Sequence, residues 1–289
     1  MTIRVKNVTI PGKIMNISGR TKVTGILGYP VEQTLSPAMQ NAAFAYLDLD
    51  YCYLPFLVRP DSLGRAVEGL RALNVAGVNV TVPHKEAVIP FLDGISDEAA
   101  FIGAVNTVVN RDGMLHGDNT DGRGFMRSLS ERGIDPSGRK VLVIGAGGAS
   151  RAVSYYLSEK AAELAIYNRG RDRLERLVSD LSGIRTNVRA AGTPEEAGAY
   201  DIIVNATSLG LRPGDPMPFD PSGLSGRQVV CDLIYRETPI LAAAAAAGCS
   251  TLNGLGMLLY QGVLAFEIWT SKAAPVEIMK NALLASVGR

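Results

Sequence analysis

A chain of 289 residues with 47% hydrophobic content can build a large core and is expected to divide into two domains. Its formal net charge of +1 supplies no basic excess for nucleic acid, and no stretch approaches the ~18 consecutive apolar residues of a membrane span. Cys52, Cys231 and Cys249 are scattered, with no CxxC pair and no histidine cluster, so neither a disulfide framework nor a metal site is indicated. With no signal-peptide core at the N-terminus, these features predict a reduced, cytoplasmic protein.

In chain order, "SLGRAVEGLRALNV" sets Leu63, Ala66, Val67, Leu70 and Leu73 at helical spacing. The following "VNVTVPHKEAV" alternates: Val78, Val80 and Val82 share one face, Asn79 and Thr81 the other, and Pro83 stops the ladder because it has no N–H. Alone, this stretch reads as an edge strand ending in a solvated charged turn. "SDEAAFIGAVNTVVN" predicts a helix capped by Ser96, and "TVVNRDGMLHGDN" a hairpin around Asp112-Gly113. From Lys140 onward the pattern is regular: "KVLVIG", a helix, "LAIYN", a helix, "DIIVNA", "VVCDLIY", an alanine-rich helix and two closing helices. The alternation predicts an α/β protein with a parallel sheet covered by helices. Two domains are expected: an α/β substrate-binding domain over residues 1–121 plus 254–289, and a Rossmann-like, doubly wound nucleotide-binding domain over 122–253.

The strongest local motif is "VLVIGAGGASRAV", in which an apolar strand meets Gly145, Gly147 and Gly148 and continues as a helix. A dinucleotide pyrophosphate needs such a turn, because its oxygens must approach the backbone closely and accept from unpaired N–H groups at the helix start. The spacing is a GxGGxx variant, and a purely structural turn is the alternative. At the next strand end, where an NAD enzyme carries an acidic residue for the ribose, stand Asn168 and Arg169, with Arg173 one turn later. Arginine cannot accept hydroxyl protons but pairs with a 2'-phosphate, so NADP(H) is favoured. The alternative is a solvated basic helix start, and Asp172 dilutes the positive charge.

Hydride transfer leaves a proton to be managed at the substrate oxygen. Only His84 and His116 could act as imidazole acids, so Lys85 becomes the next donor if a carboxylate holds it. The glycine-bounded loop "GDNTDGRG" offers Asp118 and Asp121. Asp118 reads equally well as loop and cap chemistry, whereas Asp121 reads as functional.

"GYPVEQTLSPAMQNAAF", "GVNVTVPHKEAV", "GAVNTVV", "GDNTDG", "GAGGASRA", "NATSLG" and "NGLGMLLYQG" occur in order, and together they resemble the shikimate dehydrogenase family across nearly the whole chain. The resemblance implies reduction of 3-dehydroshikimate to shikimate with NADPH, on the route to aromatic amino acids. It implies Lys85 and Asp121 as the catalytic pair. Asn79, Thr81, Asn106 and Gln261 match positions that hold ring hydroxyls, Thr34 and Ser36 match the carboxylate-binding pair, and Tyr235 matches a tyrosine near the same group. The cofactor positions expected are Gly145, Ala146, Gly147, Gly148, Ala149, Asn168, Arg169, Arg173, Thr207 and Gly254. Hydroxyl, amide, ammonium and carboxylate groups suit a small polyhydroxylated ring acid. Ser36 before Pro37 also fits an N-cap, Gln261 a solvated helix face and Tyr235 simple packing.

Gln33-Thr34 replaces the family's frequent His-Ser, which leaves discrimination between shikimate and quinate open, and Gly170 stands where many members carry threonine. Residues 1 to 20 read as an added strand pair or arm. The partner expected is a small molecule, with no nucleic acid, no membrane and no metal, in a monomer or homodimer. An NAD-preferring quinate/shikimate dehydrogenase is the alternative enzyme, and a non-catalytic NADP-responsive binding protein the alternative of another class.

Overall fold

The computed structural model describes residues 17–287, so the arm expected over residues 1 to 20 falls, as far as residue 16, outside the described residues. Packing divides the chain into two compact units: the described residues up to Thr120 together with those from Gly262 onward, and Asp121–Gln261.

The first unit contains β1 (Lys22–Gly28), α1 (Ser36–Tyr46), β2 (Tyr51–Leu57), α2 (Leu63–Ala72), β3 (Gly77–Val80), β4 (Gly94–Ile95), α3 (Asp97–Ile102), β5 (Thr107–Arg111) and β6 (Met114–Asp118). They form a mixed sheet in the order β2-β1-β3-β5-β6-β4. β3 therefore lies in the interior, parallel to β1 and antiparallel to β5, and all four of its residues are buried. This corrects the edge-strand reading: Asn79 faces inward because its amide finds partners there, so alternation of polarity did not report solvent. The strand ends at Val80, short of Pro83.

The hairpin forms as expected, with Asp112 at φ 53° and Gly113 at φ 89° between β5 and β6. Ser96 caps α3 by accepting from Ala99 N–H. In α2, Leu63, Val67 and Leu70 are buried, but the helix ends at Ala72 and Leu73 is 77% exposed.

The second unit holds α4 (Asp121–Glu131), β7 (Lys140–Ile144), α5 (Gly148–Lys160), β8 (Glu163–Tyr167), α6 (Arg171–Ser182), β9 (Val188–Ala190), β10 (Ile202–Asn205), β11 (Val229–Asp232), α7 (Pro239–Ala246) and β12 (Ser250–Leu252). Its sheet runs β12-β11-β10-β7-β8-β9 with every pairing parallel, the doubly wound order. β9 and β12 are three residues each and escape a reading by periodicity, which needs longer runs. The chain winds outward both ways from the β7–β10 pair, so the carboxyl ends of these strands mark the switch point where such sheets take ligands.

The last two helices are α8 (Leu255–Thr270) and α9 (Val276–Leu284). Within the first unit α9 packs against α1, Phe266 stacks on Phe44 with centroids 5.2 Å apart, and Trp269 Nε1 donates to the Val108 carbonyl at 3.0 Å. Gln40 of α1 donates to the Gly262 carbonyl at 2.8 Å, fixing the unit's first α8 residue against α1.

Candidate active site

In the first unit, two of the expected substrate residues, Asn79 and Asn106, belong to one buried hydrogen-bond network. Ser36 is the first residue of α1, not its cap; Leu35 takes the cap position without a side-chain bond. The capping alternative is thereby set aside, and Ser36 is buried, 4% exposed. Tyr53 donates to Asn79 Oδ1 at 2.8 Å, and Asn79 Nδ2 donates to the Asn106 carbonyl at 3.1 Å and to Thr107 Oγ1 at 3.2 Å. Thr107 Oγ1 donates to Asn106 Oδ1 at 3.0 Å, which also accepts from Thr120 N–H at 2.9 Å. Both Asn79 N–H groups are thus engaged, and Oδ1 keeps one lone pair for a ligand hydroxyl. Burial drives the Tyr53 phenol far above its ordinary pKa, so it stays protonated and able to donate.

Thr34 stands beside Ser36, whose N–H reaches Thr34 Oγ1 at 3.4 Å. Thr81 follows β3, its N–H held by the Leu27 carbonyl at 2.9 Å. Lys85 lies in the turn after Pro83, and its carbonyl accepts from Val105 N–H at 2.8 Å, tying the lysine's backbone to the residue before Asn106. His84 is 1% exposed, with Nε2 donating to the Val58 carbonyl at 2.7 Å, and His116 is exposed on β6. Asp118 accepts from Ser96 Oγ at 2.7 Å and from Asn119 N–H at 2.8 Å, the loop chemistry weighed for it.

In the second unit, Asp121 opens α4 and is 7% exposed, a position where the helix dipole favours a carboxylate. Gly145 follows β7 at φ +119°, and a Cβ there would lie 2.8 Å from the Ala206 carbonyl oxygen after β10. Its N–H donates to the Tyr167 carbonyl at 2.7 Å and its carbonyl accepts from Ser150 Oγ at 2.6 Å. For Gly145 the structural alternative holds: packing alone requires glycine. Gly147 and Gly148 differ, since a Cβ at either meets nothing within 4 Å. Nothing in the protein asks for glycine there, α5 begins with no side-chain cap, and Ala146 and Ala149 flank the turn with minimal side chains. This open cradle fits a pyrophosphate resting on backbone N–H groups.

Asn168 closes its turn by donating to the Gly170 carbonyl at 2.7 Å, and α6 starts without a side-chain cap at Gly170. Arg169 and Arg173 are exposed at that helix start. Thr207 donates to Asn205 Oδ1 at 2.7 Å and accepts from Leu209 N–H at 3.0 Å, which leaves its methyl toward Gly145. Gly254 donates to the Ile234 carbonyl at 2.9 Å and approaches the Leu233 backbone too closely for any side chain. Tyr235 is 40% exposed, against the packing alternative. Gln261 is 9% exposed, not on a solvated face; it donates to the Leu258 carbonyl at 2.8 Å, and a Cβ on Gly124 of α4 would lie 2.6 Å from its backbone nitrogen.

Sequence reasoning missed two supports. Tyr53, which donates to Asn79, lies in no motif that the sequence analysis singled out. Asp232, at the end of β11 and 1% exposed, accepts from Asn205 Nδ2 at 3.0 Å, Thr238 Oγ1 at 2.8 Å and Ile234 N–H at 3.0 Å. It braces the β10 and β11 ends beneath the Thr207 loop, and burial pushes its carboxyl above the usual range while its hydrogen bonds pull it back. Asn205 and Asp232 sit in the quoted strands, yet only parallel pairing makes them neighbours.

Three family descriptions match along the chain: the shikimate dehydrogenase substrate binding domain over residues 26–108, shikimate / quinate 5-dehydrogenase over 128–210, and the shikimate 5'-dehydrogenase C-terminal domain over 254–284. The shikimate dehydrogenase (NADP(+)) of Desulforamulus reducens is 47% identical over 286 residues, covering 94% of this chain and 98% of its own. That of Carboxydothermus hydrogenoformans is 48% identical over 276 residues, covering 93% and 99%. The crystal structure of shikimate 5-dehydrogenase from Thermus thermophilus in complex with NADP(H) and shikimate superposes with a TM-score of 0.85 at 36% identity, covering 92% of this chain and 99% of that one. With matched segments spread from one end of the described chain to the other, and relatives nearly half identical over their full length, this protein belongs to the shikimate dehydrogenase family.

Proposed function

We propose that this protein is an NADP-dependent shikimate dehydrogenase, interconverting 3-dehydroshikimate and shikimate in the biosynthesis of chorismate and the aromatic amino acids. The observation that carries this reading is near-half identity over almost the entire chain to enzymes named for that NADP(+) activity. The open Gly147-Gly148 cradle and the basic Asn168-Arg169 strand end support it locally. When bound, NADPH supplies the hydride. Gly145 to Ala149, with Thr207 and Gly254, line its pyrophosphate and nicotinamide portions, and Asn168, Arg169 and Arg173 take the adenosine 2'-phosphate.

Lys85 donates the proton to the developing alkoxide and takes it back in the oxidative direction, and Asp121 orients the ammonium. Thr34, Ser36 and Tyr235 bind the substrate carboxylate; Asn79, Thr81, Asn106 and Gln261 bind the ring hydroxyls. The substrate-binding domain comprises residues 1–121 with 254–289 and the NADP-binding domain 122–253. We place the protein in the cytoplasm as a monomer or homodimer; no helix among the described residues is long and apolar enough to cross a membrane.

An NAD-preferring quinate enzyme would ask for an acidic residue where Arg169 stands, so that reading is not favoured. A non-catalytic NADP-binding protein would need neither Lys85 nor Asp121. Mixing the purified protein with shikimate or quinate and either oxidised cofactor, and following reduced-nicotinamide absorbance, tests all three. Turnover of shikimate fastest with NADP+ is expected; turnover with no pair supports the binding protein, and preference for NAD+ with quinate supports the other enzyme.

A further inference from the structure

In the second unit a single carboxylate joins the ends of β10 and β11. Asn205, the last residue of β10, uses all four hydrogen-bonding positions of its amide. Oδ1 accepts from Thr207 N–H at 3.1 Å and from Thr207 Oγ1 at 2.7 Å, and Nδ2 donates to the Leu209 carbonyl at 3.2 Å and to Asp232 Oδ2 at 3.0 Å. The Thr207 N–H can only donate and the Leu209 carbonyl can only accept, so the amide has one orientation and presents N–H to Asp232. Asp232, the last residue of β11, takes two further donors: Ile234 N–H on Oδ1 at 3.0 Å and the Thr238 hydroxyl on Oδ2 at 2.8 Å. Thr238 stands at the N-cap of α7, yet its side chain makes no bond to its own helix. An ionised carboxylate accepts from all three donors, whereas an amide in its place must turn N–H on either Asn205 or Ile234.

We propose that Asp232 is a positioning residue that ties the Thr207 loop to the turn at residues 233–235, and so sets cofactor and substrate contacts together. The assignment rests on the reading of Thr207 and Gly254 as cofactor contacts and of Tyr235 as a substrate contact. On one side, Asp232 holds the Asn205 amide, which shapes the loop through Thr207 and Leu209. On the other side it holds Ile234 N–H, the neighbouring Leu233 N–H donates to the Asn205 carbonyl at 3.0 Å, and the Ile234 carbonyl receives Gly254 N–H at 2.9 Å. The backbone leading into Tyr235 is thereby fixed against the same two side chains that fix Thr207. Asn205 and Asp232 are both buried, so a partner lost by either is left unsatisfied and the loops must shift to relieve it. Both stand at the carboxyl ends of their strands, the side on which doubly wound sheets take ligands.

The test is a swap of the two side chains. Asn205→Asp sets carboxylate against carboxylate at the 3.0 Å contact. Adding Asp232→Asn restores a donor there: the new amide at position 232 donates to position 205 and still accepts from Ile234 N–H, and only the Leu209 carbonyl is left without its donor. The NADP+ Kd by calorimetric titration, the shikimate KM at saturating NADP+ and stability in urea are measured for wild type, both single variants and the double variant. Asn205→Asp should raise both the NADP+ Kd and the shikimate KM at least about fivefold, and the double variant should return both to within about threefold of wild type. A smaller rise, a rise confined to one ligand, or a double variant no better than Asn205→Asp would overturn the tie. So would stability lost in urea with both ligand constants unchanged, which leaves Asp232 a structural role alone. If wild type fails to oxidise shikimate with NADP+, the functional reading falls and this assignment with it; if wild type turns over and the variants lack this pattern, this assignment alone falls. Should Asn205→Asp not fold, Asp232→Asn decides: a rise of at least about threefold in the NADP+ Kd or the shikimate KM that the double variant reverses supports the proposal, and its absence overturns it.

Discussion

Gly145 and Gly148 lie three residues apart in one turn, yet the structure predicts opposite consequences for the same added methyl group. At Gly145 an alanine would have to hold φ near +119°, a conformation that disfavours residues with a Cβ by ~1–3 kcal/mol. Its Cβ would also stand 2.8 Å from the Ala206 oxygen, about 0.6 Å inside an ordinary contact, and Ala206 cannot yield without disturbing its own N–H bond to the Ile144 carbonyl at 2.8 Å. Overpacking of that kind adds ~1–3 kcal/mol, so Gly145→Ala should lose ~2–6 kcal/mol in urea unfolding. At Gly148 the Cβ meets nothing within 4 Å and the residue is already helical, so alanine should be neutral or stabilising by up to ~1 kcal/mol. If a pyrophosphate fills that open space, Gly148→Ala should nevertheless weaken NADP+ at least about tenfold by fluorescence or calorimetric titration, ~1.4 kcal/mol of binding. A Gly148→Ala protein that binds NADP+ like wild type would remove the cofactor from this turn. A Gly145→Ala protein as stable as wild type would refute the steric account.

Arg169→Ala should weaken NADP+ by ~2–4 kcal/mol and NAD+ far less; equal losses would detach Arg169 from the 2'-phosphate. Lys85→Ala and Lys85→Met should lower kcat by about 10² to 10⁴ with NADPH binding near wild type, and retention of kcat within about tenfold would leave Lys85 a binding or structural role. For Asp232, a carboxyl raised above its unfolded value contributes stability that is present below the ordinary carboxylate range and lost as pH rises through the raised folded value. The stability of wild type minus that of Asp232→Asn, which cannot titrate, should therefore decline as pH rises over the interval above the ordinary carboxylate range in urea unfolding. A difference that grows over that interval contradicts burial as the dominant cause.

What the sequence determined by itself was local chemistry and local geometry. The glycine turn after "KVLVI", the Ser96 cap and the Asp112-Gly113 hairpin depend on residues within a few positions of one another, so the order of residue types carries them directly. The long strands and helices of the second unit were legible because their apolar runs are extended, whereas the three-residue β9 and β12 were not. Tertiary structure decided what sequence periodicity leaves degenerate. The alternation of "VNVTV" is the same for an edge strand and for an interior strand whose polar side chains are satisfied by neighbours. Only the placement of β3 between β1 and β5 made Asn79 a buried hub. Likewise Ser36 before Pro37 carries a cap signal, yet in the folded chain Leu35 takes the cap position and Ser36 is the buried first residue of α1, which packs against β2 and α9. Asp232 and Asn205 become partners through the register of two parallel strands, a long-range pairing to which neither segment alone refers.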